Sequence, residues 1–184
     1  MTRKYAFAVA GLLVAAMLGC STAPKSESGR TELVGDAAKA IALAETQDPT
    51  ITPVLKKAAG YVVFPTVGKG AIGVGGAYGK GVLYEKGTVV GYSSLTQASI
   101  GLALGGQAYT EIICFETKDS LSAFRSGGFT FSAQATAVAL ASGAGANAKY
   151  ANGVLVFTRG EEGLMYEASI GGQKFSYEPL AAVP

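Results

Sequence analysis

At 184 residues the chain is long enough for one domain with a real core, and a hydrophobic content of 49% places it among folded proteins. A formal net charge of +2, from 15 basic and 13 acidic residues, argues against nucleic acid, which calls for a basic domain with a concentrated patch. The chain has no histidine, which removes the usual general base, the usual zinc ligand and every Ser/His or Cys/His arrangement.

The N-terminus reads as an export signal. Arg3 and Lys4 precede an uncharged run from Tyr5 to Gly19, the charged-then-apolar order of a secretory signal. That run is shorter than the about 20 apolar residues a membrane-spanning helix needs. It ends in Met17-Leu18-Gly19-Cys20, which looks like a lipobox: apolar residues, a small residue at the cleavage point, then cysteine. Residues 1 to 19 are therefore expected to be a lipoprotein signal peptide, and Cys20 to carry a covalent diacylglycerol on its thiol together with an acyl chain. Ser21 stands where some sorting systems read an aspartate as an instruction to stay at the inner membrane. The expected location is the cell envelope, lipid-anchored, at the outer membrane and facing the periplasm or the surface.

Residues 20 to 30 are small, polar and charged, and read as a flexible tether to a domain over 31 to 184. From Thr31 to Gln47 the pattern is helical, with Leu33, Val34, Ala37, Ile41 and Ala44 on one face and Asp48-Pro49 as the stop. A second helix fits Thr52 to Ala59, with Thr52 as cap, Pro53 at the first helical position and Gly60 as terminator.

Beyond Gly60, glycine-rich turns punctuate short runs rich in Val, Ile, Tyr, Phe and Thr. The predicted strands are Tyr61 to Phe64, Ala71 to Tyr78, Gly81 to Tyr84, Thr88 to Tyr92, Ser99 to Leu104 and Ala108 to Phe115. They continue with Phe129 to Leu140, Val154 to Thr158, Gly163 to Ala168 and Lys174 to Tyr177. One helix interrupts them, capped by Thr117, with Asp119 in its first turn, Leu121 and Phe124 as an apolar pair and Gly127 past its end. Three Gly-Gly segments that run on to an aromatic, at Gly75-Gly76, Gly105-Gly106 and Gly171-Gly172, read as hairpin or bulge chemistry.

Chemistry-bearing motifs are few. Gly68-Lys69-Gly70-Ala71-Ile72-Gly73 matches GxGxxG, but glycines at 73, 75, 76 and 79 would sit inside the helix that should hold a pyrophosphate. Glu161-Glu162 reads as a solvated turn, and Cys114 as a buried structural thiol in an apolar strand. No catalytic residue, metal site or cofactor is expected. Charge is distributed unevenly: from Ile51 to Thr110, five lysines face Glu85 alone, and both flanks are acidic. This basic middle is the expected contact with anionic lipid headgroups. Lys56 and Lys57 close a helix beside Val54 and Leu55, while Lys69 and Lys80 bracket the glycine-rich segment, where headgroup phosphates can approach backbone amides. An apolar pocket of the sheet, tested at Tyr78, Tyr92 and Phe115, is the alternative lipid site.

Phe64 to Gly81, FPTVGKGAIGVGGAYGKG, resembles the signature of the SYLF domain family, a lipid-binding module of bacterial lipoproteins and of eukaryotic membrane and actin-associated proteins. The likeness continues through Gly91-Tyr92-Ser93, Ser99-Ile100-Gly101-Leu102, Gly105-Gly106-Gln107, the LSAFR of Leu121 to Arg125 and Gly163-Leu164-Met165, across residues 35 to 178. It departs at Gly128-Phe129, where the family often has Gly-Trp, and near Gln134, where it often has an acid. The resemblance implies binding of anionic phospholipid and supplies no catalytic residues. The expected fold is α+β, a mainly antiparallel, strongly curved or barrel-like sheet with N-terminal helices and one inserted helix. The expected function is that of an envelope lipoprotein binding a phospholipid membrane surface, with no nucleic acid partner and no protein partner identified. Its rivals are a structural envelope lipoprotein that contacts protein or peptidoglycan, and a small outer-membrane barrel.

Overall fold

The structure of the protein, a computed structural model, describes residues 21–72, 74–100, 105–127, 129–131, 137–160 and 172–180. Two helices come first, α1 (Glu27–Gln47) and α2 (Ile51–Lys57). The strands β1 (Gly60–Ile72), β2 (Val74–Glu85), β3 (Thr88–Ile100) and β4 (Gly105–Phe115) follow, then α3 (Lys118–Arg125). The remaining elements are β5 (Val138–Ala139), α4 (Ala144–Asn147), β6 (Val154–Gly160) and β7 (Gln173–Pro179). The described strands form one sheet of order β5-β6-β4-β1-β2-β3-β7, antiparallel except for the β5–β6 pair. The α+β architecture is as the sequence predicts.

The N-terminal segment differs from the expected tether. Ser26 caps α1 by accepting from Gly29 N at 3.1 Å, so the helix begins four residues before Thr31. Ahead of it Ala23 is buried: its amide donates to Glu178 Oε2 (3.2 Å) and its carbonyl accepts from Lys80 Nζ (3.1 Å). Arg30 adds an ion pair with Glu178 at 3.7 Å and lies over the Tyr92 ring. Residues 21 to 30 are thus docked on β2, β3 and β7 instead of forming a free linker. The second helix also departs from expectation. Thr52 donates its hydroxyl to Glu45 Oε1 (2.8 Å) instead of capping, and Gly60 opens β1 instead of ending α2.

Among the described residues, β1 to β4 are longer than the predicted strands, because residues that usually break strands are absorbed within them. Pro65 cannot donate to a ladder, and the register shifts around it on both sides, between Val63 and Thr66 against β2 and between Phe64 and Val67 against β4. Its free carbonyl accepts from Thr110 Oγ1 at 2.9 Å. The predicted strand Ala71 to Tyr78 contains the β1–β2 reversal, where Ile72 pairs with Val74. The first two Gly-Gly segments lie inside paired strands, not turns: Gly106, Gly70 and Gly76 stand side by side across β4, β1 and β2. The β2–β3 turn is instead Lys86-Gly87, both with positive φ (50° and 78°), the two-residue turn whose twist matches the flanking strands. Of the predicted strand Phe129 to Leu140, only Val138 and Ala139 are β5 among the described residues. Residues 132–136 and the predicted strand Gly163 to Ala168 lie outside the described residues, as do Glu161 and Glu162.

Alternation sorts the core into two layers. One face of the sheet presents Tyr61, Val63, Val82, Ile112 and Phe157 to α1 and α2, where Ala37, Ala40 and Ala44 let α1 lie close. The other presents Val62, Phe64, Leu83, Ile113 and Phe115 to α3 and to Phe131 and Phe175. Along the sheet β7 lies four places from β4, about 19 Å if flat. Yet Gln173 Nε2 on β7 donates to Glu111 Oε2 on β4 at 2.9 Å. The sheet is therefore rolled toward the second face, with the helices α1 and α2 on its convex side. It is not closed.

Candidate functional site

The link between α1 and α2 is organised by Asp48, which is buried. Its Oδ1 accepts from Thr50 N (3.1 Å), Thr50 Oγ1 (2.6 Å) and Gly143 N (3.1 Å), and its Oδ2 from Gly145 N (2.6 Å). Burial pulls this carboxyl upward, but the donors from Thr50, Gly145 and Gly143 outweigh it and hold it below the usual aspartate value. Thr50 Oγ1 in turn accepts from Ala146 N at 2.9 Å. One carboxylate thus clamps α4 onto the start of α2 from almost a hundred residues away in sequence. At the contact, a Cβ on Gly145 would stand 2.7 Å from Ile51 N and Thr50 C, so only glycine permits the approach.

Beside the clamp lies a cavity of about 550 Å³ between α2, α4 and the start of β6. Val54, Pro53, Ala148, Tyr150 and Leu155 give it an apolar lining, and Lys57 is the charged residue on its wall. Burial pushes the Tyr150 phenol up to about 12, with the fields of Cys114 and Glu116 adding to it, so the ring stays neutral. Lys56 and Lys57 are both exposed at the C-terminal end of α2.

The four sequence-predicted lysines do not converge on one patch. Lys80 alternates with Val82 on the convex side and is engaged with the Ala23 carbonyl. Lys69 alternates with Val67 and therefore lies on the concave side. It stands nine residues along β1 from Gly60, about 30 Å from the end at which α2 delivers Lys56 and Lys57. Tyr78, Tyr92 and Phe115 do not line one pocket either. Phe115 is in the concave core, Tyr92 is buried in the convex core, and Tyr78 is 39% exposed. Cys20 lies outside the described residues. Cys114 is fully buried, and burial pushes its thiol up to about 12, which fits an inert core position. Gly68 to Ile72 of the GxGxxG match run along β1 in an antiparallel sheet, and among the described residues β2 follows, not a helix that could hold a phosphate.

Sequence reading passed over Asp48, seen there only as a stop, and Glu111. Glu111 alternates with Tyr109, Ile113 and Phe115 on the concave side and is fully buried. Desolvation raises it to about 7, against the opposing hydrogen bonds of Gln173 and Tyr109. Its Oε1 and the Oε1 of Gln173 are buried without a partner, as is the hydroxyl of Thr158, which pairs with Glu111 across β4 and β6. The available signal was parity: in a strand with Ile113 and Phe115 buried, position 111 points the same way.

No protein-family model matches the chain. It is similar to Beta cell expansion factor A of Aeromonas veronii, with 30% identity over 130 residues, an alignment that takes in 70% of this chain and 49% of that protein. The chain thus spans about half the length of the curated relative it matches.

Proposed function

We propose that this protein is an envelope lipoprotein, anchored through lipid on Cys20, whose curved-sheet domain binds anionic phospholipid at a membrane surface and carries out no catalysis. The observation that carries this reading is the end of α2. Lys56 and Lys57 stand exposed there, next to half-buried Val54 and an open apolar cavity, so cations and a hydrophobic wall meet at one place. The sequence resemblance to the SYLF domain family supports it. So does the docked N-terminus: Ala23 is pinned by Glu178 and Lys80, and the three residues from Cys20 to Ala23 span at most about 10 Å, which would hold the domain against the bilayer. The convex face that a membrane barrel would turn toward lipid is covered by α1 and α2, which favours the lipid-anchored reading over a barrel.

Vesicle cosedimentation tests the proposal. The chain should bind vesicles containing phosphatidylglycerol better than pure phosphatidylcholine, with binding falling as salt rises. Lys56→Gln with Lys57→Gln should weaken anionic binding by about thirtyfold, at roughly 1 kcal/mol per lysine, and flatten the salt dependence. Lys69→Gln alone should change it little. Equal binding of parent and double variant would overturn the basic-surface reading. Lipidation is tested by labelled palmitate, which should enter the parent chain and not Cys20→Ser.

A further inference from the structure

We propose that the cavity between α2 and α4 is a binding site for one acyl chain ended by an anion, with Lys57 pairing the anionic head. This deepens the phospholipid reading and rests on it. Surface attraction needs only exposed lysines, whereas the cavity adds a built receptor. Its volume of about 550 Å³ falls within the ~300 to 1,000 Å³ typical of small-ligand pockets, which suits one chain rather than a two-chain phospholipid. Its walls are mainly hydrocarbon and aromatic, from Pro53, Val54, Ala148, Tyr150 and Leu155, and among the described residues no carboxylate lines it. The charged residue on the wall is cationic, which selects an anionic head over a cationic or neutral one.

The wall is also held by hydrogen bonds that need no ligand. Asp48 fixes α4 through Gly143 N and Gly145 N, Thr50 fixes Ala146 N, and Gly145 packs backbone to backbone on Ile51. A preformed wall loses little freedom on binding, so chain burial converts into affinity. Two sources share this chemistry, a fatty acid carboxylate and a lysophospholipid phosphate.

The test uses the full chain carrying Cys20→Ser, to keep attached lipid from competing, with calorimetric titration of defined amphiphiles. Dodecanoate and lysophosphatidylglycerol are the two anionic arms, and dodecanol and dodecyltrimethylammonium the controls. At least one anionic arm should bind tenfold or more tighter than either control, and which arm does so names the source. Lengthening the chain should tighten binding by up to about fourfold per methylene until the cavity is full. Ala146→Trp, which fills the cavity from an exposed wall position, should lose this binding tenfold or more. Lys57→Glu should lose the anionic amphiphiles and gain the cationic one. Should Ala146→Trp fail to fold, a photoreactive fatty acid on the unsubstituted wall answers instead, by labelling peptides that contain Pro53 to Lys57 or Ala146 to Leu155. Equal binding of anionic and cationic chains, unchanged binding in folded Ala146→Trp, or labelling elsewhere would overturn the site. Loss of vesicle binding with the amphiphile site intact would sink the surface reading alone.

Discussion

Glu111 is a carboxyl with a hydrocarbon environment and three polar neighbours, Tyr109, Thr158 and Gln173. Its Oε2 receives Gln173 Nε2, while its Oε1 and Gln173 Oε1 are both acceptors with nothing to accept. A proton on the carboxyl supplies the missing donor, which is the physical sense of a value raised from 4.5 to about 7 by burial. The folded state then holds this proton more tightly than the unfolded chain. The resulting stabilisation is fully present below pH 4.5 and is lost as pH rises through 7, on the order of 3 kcal/mol across that window. Asp48 has the opposite sign: its value is lowered on folding, so its contribution is present above the ordinary 3.8 and is lost as acid titrates the folded carboxyl. Stability should therefore be greatest at mildly acid pH. Glu111→Gln, whose amide carries a donor at every pH, should show a nearly flat urea-denaturation stability between pH 5 and 8, where the parent declines. A decline that persists in the variant would assign the titration to another group. Nothing in composition foretold either carboxylate, because each gets its role from a partner over 60 positions away, Gln173 for one and Gly143 and Gly145 for the other.

The elements differ in how much of them is local. In α3 the whole signal is within ten residues: Thr117 accepts from Ser120 N (3.2 Å), Ser120 Oγ accepts from Thr117 N (3.3 Å), and Leu121 and Phe124 face the core. Sequence reading located it for that reason. Thr117→Ala should cost about 1 kcal/mol in chemical denaturation, the usual value of a lost N-cap, and a loss below a few tenths would show that packing alone sets the helix. By contrast α4, four residues of Ala, Gly and Asn, has no propensity that would announce it. It exists because Asp48 and Thr50 supply its amide partners. Gly145→Ala should accordingly destabilise by about 1–3 kcal/mol, since the added methyl meets backbone that cannot swing aside. An unchanged midpoint would mean that α4 is free to lift. Strand ends were the least legible feature. Glycine and proline usually mark breaks, but in β1 the Pro65 irregularity and the Gly70 pairings are accommodated by neighbours on both sides.

At the scale of the molecule, the roll of the sheet is what brings β7 over β4, and it is held by rings instead of by a closing ladder. Phe175 of β7 touches Phe64 of β1 at 5.9 Å, Phe124 of α3 at 5.3 Å and Phe131 at 5.6 Å between ring centroids. Phe124 also meets Phe115 of β4 at 4.8 Å, so α3 bridges the two strands that the sheet order keeps apart. Arg125 reinforces the bridge, pairing with Glu85 on β2 and lying 5.4 Å over the Tyr177 ring of β7. Glycine content predicts curvature, but the ring cluster that fixes it joins five separate segments and has no local pattern. Because β7 is laddered to β3 alone among the described strands, its inward contacts carry much of its hold. Phe175→Ala should therefore cost about 3–5 kcal/mol, the range for deleting a buried phenylalanine. The loss should also be spatially uneven. Hydrogen exchange should accelerate first across Gln173–Pro179 and at Glu111, whose Gln173 partner leaves with the strand, while the α1 amides on the convex side stay protected. Uniform acceleration in both layers would show that the roll is a property of the sheet itself and that the aromatic cluster only fills it.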